Sequence, residues 1–581
     1  MPYRLPLLSC SLLLILLIGL AGCDPEQTSR PASSRTSSPP KGAIFTDATE
    51  ATRLDFVHDS GLSGERYMIE VIGSGLALFD YDQDGDLDLY MVQGHALDEG
   101  AATTPRAIDR LYRNDLIETD TLRFTDVTET SGLRADGYGM GVATGDYNND
   151  GWTDLYVLNW DSNQLWRNNG DGTFTDVTAA SQTDDRGWST AASFLDYDRD
   201  GWLDLMVVNY IRYDLAAQKI CYAAAGHQEY CGPDAYPDAP DQLLHNQGDG
   251  TFASVTLPMG MTGAYGSGLG VVAADFNEDG WPDLYVTNDG DENQLWMNQA
   301  GQRFENRALA AGAAVNAAGS TEASKGVSTA DFDGDGHNDL FVTRLDTETN
   351  TFYRNAGGRG IFEDRSRASG LGLPSRPFTA FGIATLDYDN DGWLDLFIAN
   401  GAVHVVPTQQ EQGIEPPLRQ TDQLFRNLGE GRFAETTQEQ DGLFDEAAVG
   451  RGVATGDLDN DGDTDIILSN NHGPARVLRN DAGSRQPWLG LRLLDTEGRR
   501  DMLGARVGVL RTGAPDLWRR VHTDGSYASA SDPRVLFGLG ETATYDTIQV
   551  FWPDGTEETW ANLALNQYHT LIQGQGTAST P

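Results

Sequence analysis

The chain has 581 residues, a formal net charge of −47, 66 glycines, 4 cysteines and 9% aromatic residues. That length accommodates one large repeat architecture plus a smaller domain. The acidity excludes nucleic acid and anionic membrane surfaces as direct partners, since both would be repelled, and the aromatic and aliphatic periodicity argues against a disordered acidic chain.

Residues 1–22 carry Arg4, an apolar run from Leu5 to Leu20, and then Leu20-Ala21-Gly22-Cys23. The run is short for a membrane-spanning helix and has the layout of a secretory signal. The last four residues resemble a bacterial lipobox. The resemblance implies that Cys23 becomes the acylated first residue of an exported protein, anchored to the outer membrane or cell surface or to the periplasmic side of the inner membrane. The alternative is an ordinary signal peptide or an uncleaved anchor. Residues 23–42, rich in Ser, Thr, Pro and Arg with no apolar period, read as a flexible tether.

Residues 43–484 are organised by a nine-residue phrase, Asp80-Tyr-Asp82-Gln-Asp84-Gly85-Asp86-Leu-Asp88, which returns from Asp146, Asp196, Asp275, Asp331, Asp387 and Asp457 at spacings of 66, 50, 79, 56, 56 and 70 residues. Every copy keeps Asp at positions one, five and nine, Asp or Asn at position three, and Gly at position six. Alternating carboxylates on a tight loop present several hard oxygens to one point, which suits Ca²⁺, and the glycine permits the sharp turn. With the seventh residue counted, the expected metal set begins with Asp80, Asp82, Asp84, Asp86 and Asp88, then Asp146, Asn148, Asp150, Trp152 and Asp154. It continues with Asp196, Asp198, Asp200, Trp202 and Asp204, Asp275, Asn277, Asp279, Trp281 and Asp283, and Asp331, Asp333, Asp335, His337 and Asp339. Asp387, Asp389, Asp391, Trp393 and Asp395, and Asp457, Asp459, Asp461, Asp463 and Asp465, complete it, for up to seven Ca²⁺ ions. The loops with Asn148 and Asn277 are expected to bind more weakly. An EF-hand is rejected because position twelve is aliphatic in every copy (Met91, Val157, Val207, Val286, Val342, Ile398 and Leu468) and the flanks alternate as strands do. The competing reading is an Asp/Gly turn without metal.

Two further phrases recur. One ends in Asn, from Leu111-Tyr-Arg-Asn114 and Leu165-Trp-Arg-Asn168 to Val477-Leu-Arg-Asn480; the other is Phe-Thr-Asp-Val-Thr at 124–128 and 174–178, with relatives at Phe252, Phe304, Phe362 and Phe433. Each unit therefore has four strands, which points to propeller blades, with a β-solenoid as the alternative. Seven Asp loops and seven Asn strands face only six following Phe strands, and the seventh is Phe45-Thr-Asp47 at the other end of the chain. The expected fold is all-β: a seven-bladed propeller closed by its N-terminal strand, with a small C-terminal β-domain.

The loops resemble those of FG-GAP propellers, the family that includes the integrin α-subunit head. The layout resembles the cartilage acidic protein family, because Trp488-Leu-Gly-Leu, Leu503-Gly-Ala-Arg, Phe537-Gly-Leu-Gly and Phe551-Trp-Pro-Asp-Gly555 are similar to the ASPIC/UnbV domain, assigned to residues 485–574. Arg500-Asp501 departs from that pattern, where the family usually has an Asn-Arg pair. Residues 575–581 are expected to be a disordered tail.

Outside the cytoplasm Cys221 and Cys231, ten residues apart, are expected to form a disulfide, with free thiols or metal ligands as the alternative. Three inserts, at about 94–109, 210–240 and 401–421, lie between the second and third strands of their blades and so emerge opposite the Asp loops. His95, His404 and His472 fall at related positions on that face, as a ligand or transition-metal cluster or as independent loop residues. Asn159, Asn209, Asn288, Asn400 and Asn470 are expected to line the channel. No nucleophile elbow, zincin helix or phosphate loop is present, so no catalytic residues are assigned. The expectation is a calcium-stabilised, membrane-anchored binding or adhesion lipoprotein that recognises a protein or glycan through the insert face and binds no nucleic acid. The alternative is an extracytoplasmic enzyme acting on polysaccharide or another polymer.

Overall fold

The computed structural model describes residues 44–97, 107–223, 226–541 and 544–578. The expected signal segment, Cys23, the expected tether and part of the first insert lie outside these residues.

Seven four-stranded antiparallel sheets make up residues 45–480. Blade two shows the plan: Tyr138–Gly145, Asp154–Trp160, Gln164–Asn168 and Phe174–Asp176, each strand pairing with the next. The first strands of successive blades meet side by side, and Gly450–Gly456 of blade seven meets Leu76–Phe79 of blade one, closing the ring. Blade seven takes its outermost strand from the N-terminal end, with Phe45 opposite Asn480 and Asp47 opposite Leu478. The expected fold and its closure are what the structure has.

The recurring phrases are the bolts between blades. The Asn that ends each third strand donates its side-chain N–H to the carbonyl of loop position two in the preceding blade. Asn168 reaches Tyr81 (2.8 Å), Asn246 reaches Tyr147, Asn298 reaches Tyr197, Asn355 reaches Phe276, Asn427 reaches Phe332 and Asn480 reaches Tyr388. Asn114 of blade one reaches Leu458 of blade seven at 3.0 Å, so the series runs round the closure. The aromatic ring at position two packs on the Phe strand of the next blade, as Tyr81 does on Phe174 and Tyr388 on Phe45. In the Phe-Thr-Asp-Val-Thr phrase the Asp accepts the N–H of the last Thr, and that Thr hydroxyl accepts an N–H from the third strand: Thr178 to Asp176 at 2.9 Å, Leu165 to Thr178 at 2.9 Å.

Residues 488–578 form the C-terminal β-domain. A three-stranded sheet of Val535–Gly538, Trp488–Leu494 and Tyr568–Ile572 packs with a five-stranded sheet of Leu517–Arg520, Arg506–Leu510, Thr547–Phe551, Glu557–Trp560 and Thr577–Ala578. Alternate residues of the central strands, Val507, Val509, Ile548 and Val550, are buried between them. Thr577 and Ala578, within the expected tail, instead pair with Thr559 and Glu558 and extend the sheet.

The loop Val521–Asp532 of this domain enters the propeller channel and bonds to every blade. Ala530 N donates to Leu76 O (2.9 Å), Val142 N to Ala528 O (3.2 Å), Val327 N to Ser526 O (2.9 Å) and Ile383 N to Ser526 Oγ (3.0 Å). Asp524 accepts from Ser193 Oγ (2.8 Å) and Ala273 N (2.7 Å), and Ser531 Oγ accepts from Thr455 N (3.2 Å). The first strands are glycine-rich for this reason: a Cβ on Gly75 or Gly141 would meet Ala528 O at 1.9 or 2.7 Å. The channel is therefore filled, and the expectation that asparagines line an open channel is corrected. Asn159, Asn288 and Asn470 instead donate to the loop carbonyls of Ser162, Glu292 and Pro474, and Asn209 and Asn400 to those of Pro240 and Thr421.

Candidate metal loops and ligand face

Each Asp loop is shaped by its own backbone. In blade two Asp146 accepts N–H groups from Asp150 (3.1 Å) and Gly151 (2.8 Å), Asp150 accepts from Trp152 N (2.9 Å), and Asp154 accepts from Tyr147 N (3.2 Å) and Asn168 N (2.8 Å). Blades three, four, six and seven repeat the pairing at positions one, five and six. These bonds use one lone pair of each oxygen and leave others for a cation. Carboxylate oxygens of positions one, three and nine converge within 4.8 Å in blade one (Asp80, Asp82, Asp88), blade three (Asp196, Asp198, Asp204) and blade five (Asp331, Asp333, Asp339), and Asp84, Asp86 and Glu118 form a further such group.

The residues present fit a hard divalent cation. Asp80 Oδ1, Asp82 Oδ1, Asp84 Oδ2 and Asp86 Oδ1 are buried without a hydrogen-bond partner, as are Asp198 Oδ1, Asp459 Oδ1 and Asp463 Oδ1. Burial, with repulsion from neighbouring carboxylates, pushes Asp80, Asp146, Asp196 and Asp275 up to about 6, Asp331 and Asp457 to about 7 and Asp463 to about 8. A bound dication would supply the missing countercharge.

The loops are not equivalent. In blades five and six an arginine of the third strand already sits on the cluster: Arg354 on Asp333 and, at 2.8 Å, Asp335; Arg426 on Asp389 (2.5 Å) and Asp391 (3.2 Å). In blade three His245 lies 2.9 Å from Asp204 and 3.6 Å from Asp198. Asn148 and Asn277 each donate to the position-five Asp at 2.9 Å. At position seven, Trp152, Trp202 and Trp393 lie on the turn glycines Gly170, Gly248 and Gly429, Trp281 stacks on Arg199, and His337 bonds Glu278 (2.7 Å).

The sequence reading missed loop position four. Gln83, Asn149, Arg199, Glu278, Asn390 and Asn460 all have φ between 49° and 60°, and Asn149, Asn390 and Asn460 donate to the glycine carbonyl of the next loop (Gly201, Gly462 and Gly85). The Asn bias at this position was a usable signal, because Asn tolerates the left-handed conformation.

The C-terminal domain covers this face with arginines. Arg492 lies 4.0 Å from Asp80, Arg506 donates to Gly336 O, Arg519 to Gly392 O (3.3 Å) and Arg534 to Asp457 O (3.2 Å), while Tyr568 donates to Asp457 Oδ2 (3.0 Å).

On the opposite face the inserts meet a cap formed by residues 57–72. The disulfide Cys221–Cys231 closes a short hairpin, and Glu229 beside it accepts Val405 N at 3.0 Å, tying the second insert to the third. The three histidines have separate settings. His95 stacks edge-on against Tyr138, and His472 faces Ser60 (3.4 Å) and takes its N–H to Nδ1 of His58, a buried histidine the sequence reading did not single out. His404 lines a different feature, a cavity of about 250 Å³ with Tyr210, Tyr230, Asp289, Asp291 and Lys325. Lys325 is buried at 1% exposure, 3.7 Å from Asp289, and burial holds its pKa below the usual lysine value.

Six segments, 80–157, 146–207, 230–286, 275–342, 331–398 and 417–468, match the FG-GAP-like repeat family, and residues 495–578 match ASPIC and UnbV. Cartilage acidic protein 1 of Homo sapiens is 25% identical over 342 residues, covering 58% of this chain and 40% of the relative. The Xenopus tropicalis protein of the same name is 25% identical over 322 residues, covering 55% and 38%. The matched stretch thus spans about two fifths of these curated relatives. A solved structure of YCF48 bound to D1 peptide aligns with 78% of this chain and 99% of its own at 8% identity and a TM-score of 0.39.

Proposed function

We propose a function from the premise that this chain belongs to the FG-GAP-like repeat family and ends in an ASPIC and UnbV domain. It is an extracytoplasmic binding or adhesion lipoprotein. Calcium held by the Asp loops stiffens the propeller, the lipid on Cys23 anchors it to a membrane, and the insert face recognises a protein or glycan. Positions one, three, five and nine of each loop would hold the ion, which supplies countercharge and rigidity rather than chemistry.

One observation carries the placement of the binding surface. The C-terminal domain occupies the Asp-loop face and fills the channel, so a macromolecular partner is left the insert face, which carries a cavity walled by Tyr210 and Tyr230. Varied loops on a rigid scaffold are where recognition concentrates. Glycan-array binding by the full chain and by an Asp291→Ala, His404→Ala variant, which changes cavity-lining side chains outside the core, tests this. The reading expects loss of binding with an unchanged fold, and undiminished binding by the variant would contradict it. Cys23→Ser should release the protein from membranes, and retention after signal cleavage would count against the lipid anchor.

The second reading, an enzyme acting on a polymer, is favoured by one feature: the same cavity joins Lys325, Asp289 and His404, with the lysine pKa depressed by burial. Depolymerisation of an extracellular polysaccharide that is lost in Lys325→Met would support it.

A further inference from the structure

A second cavity, of about 310 Å³, lies on the other side of the molecule, between the C-terminal domain and blades one and two. Its arginines are not alike. Arg492 makes two bonds of 2.9 Å to Asp501, and Arg534 makes one of 2.8 Å to Asp532, so each carries its own countercharge. Arg499 is largely exposed and pairs with Glu497 at 3.3 Å. Arg500 has no such partner. It is only 9% exposed, it lines the cavity, and its Nε and Nη1 are buried with no acceptor.

Burying a guanidinium with unanswered N–H groups is costly, because each lost hydration bond goes unreplaced. Arg500 does lie in the field of Asp146 and Asp196, yet neither carboxylate bonds it. Around it the cavity wall is partly apolar, with Phe79, Leu87, Leu503 and Pro533. A planar guanidinium beside apolar wall suits an oxyanion head on a compact apolar body.

We propose that this interdomain cleft is a binding site for a small organic oxyanion, its carboxylate or phosphate head on Arg500 and its apolar part against Leu503 and Pro533. Asp80, Asp86 and Asp146 also line the cleft and would repel such a ligand when bare. They belong to the proposed calcium loops, so the inference rests on the calcium reading at this one point: metal in loops one and two turns their repulsion off. The Arg500-Asp501 pair, which departs from the family pattern, thereby gains a role. Asp501 holds Arg492 and leaves Arg500 for the ligand.

The test uses the full chain with phenyl phosphate and, separately, benzoate as probes, by calorimetric titration and thermal melting, in Ca²⁺ and in EDTA. The wild type is expected to bind one or both probes in Ca²⁺ and to melt higher with them; the probe that binds tells phosphate from carboxylate. Arg500→Met removes a buried unpaired charge, so it is expected to melt as high as wild type or higher without probe, yet to lose about tenfold or more in affinity. Arg500→Lys should bind more weakly than wild type but better than the Met variant. No binding of either probe in Ca²⁺, or undiminished binding by Arg500→Met, would overturn the proposal. So would a lower basal melt of Arg500→Met, which would make the arginine a structural countercharge for Asp146 and Asp196. Probe binding that is equal in Ca²⁺ and EDTA would support the anion site while contradicting its dependence on calcium.

Discussion

Asn355 shows how much of this fold hangs on single side chains. Its backbone N–H goes to Asp339 (2.8 Å), and its side chain donates to Phe276 O in the preceding blade (2.8 Å) and Asn338 O (3.1 Å). Asn355→Leu strands buried carbonyls and is expected to cost about 1–3 kcal/mol in urea unfolding. The repetition of this Asn was legible in the sequence. Its partner was not, because a carbonyl 79 residues away has no side-chain signature. Asp241 is a second case. It is buried, accepts Asn209 N–H at 3.0 Å, leaves Oδ2 unpartnered, and is pushed up to about 8 by burial. Blades two and four have Asn163 and Asn293 in the same role. Because the folded pKa lies above the ordinary carboxylate value, the wild type loses stability as pH rises toward and through about 8. Asp241→Asn removes that slope, so its melting temperature relative to wild type should climb from about pH 5 to about pH 9. A pH-independent difference would contradict the assignment.

At the scale of the loop, positions one, three, five, six and nine were readable because carboxylates and glycine mark them. Position four was marked only by its Asn bias at 149, 390 and 460, since Gln83, Arg199 and Glu278 adopt the same left-handed backbone. Also hidden was the cation that third strands place on some clusters. Arg354 competes with any metal for Asp333 and Asp335. Arg354→Gln is therefore expected to lower the melting temperature in EDTA and to enlarge the gain on adding Ca²⁺. An unchanged or smaller calcium gain would mean that loop five holds no ion. Of the two readings of His95, His404 and His472, the surroundings agree with independent loop residues, because the inserts and the cap differ from blade to blade.

For the whole molecule, counting strands was enough to close the ring, since Phe45 to Asp47 is the one Phe strand out of place. The plug was beyond such counting. Residues 521–532 are short, mostly polar and without period, and their partners are backbone groups of the first strands of six blades and the Ser193 hydroxyl of blade three. That arrangement makes the C-terminal domain an axle as well as a cover for the Asp-loop face. The whole account depends on the Asp ring being satisfied by metal. Each site saturated a hundredfold above its Kd would add about 2.7 kcal/mol. The most direct test is the melting temperature of the full chain near neutral pH in EDTA and across millimolar Ca²⁺. A large, calcium-dependent rise is predicted; an identical melt at every calcium concentration would contradict the account.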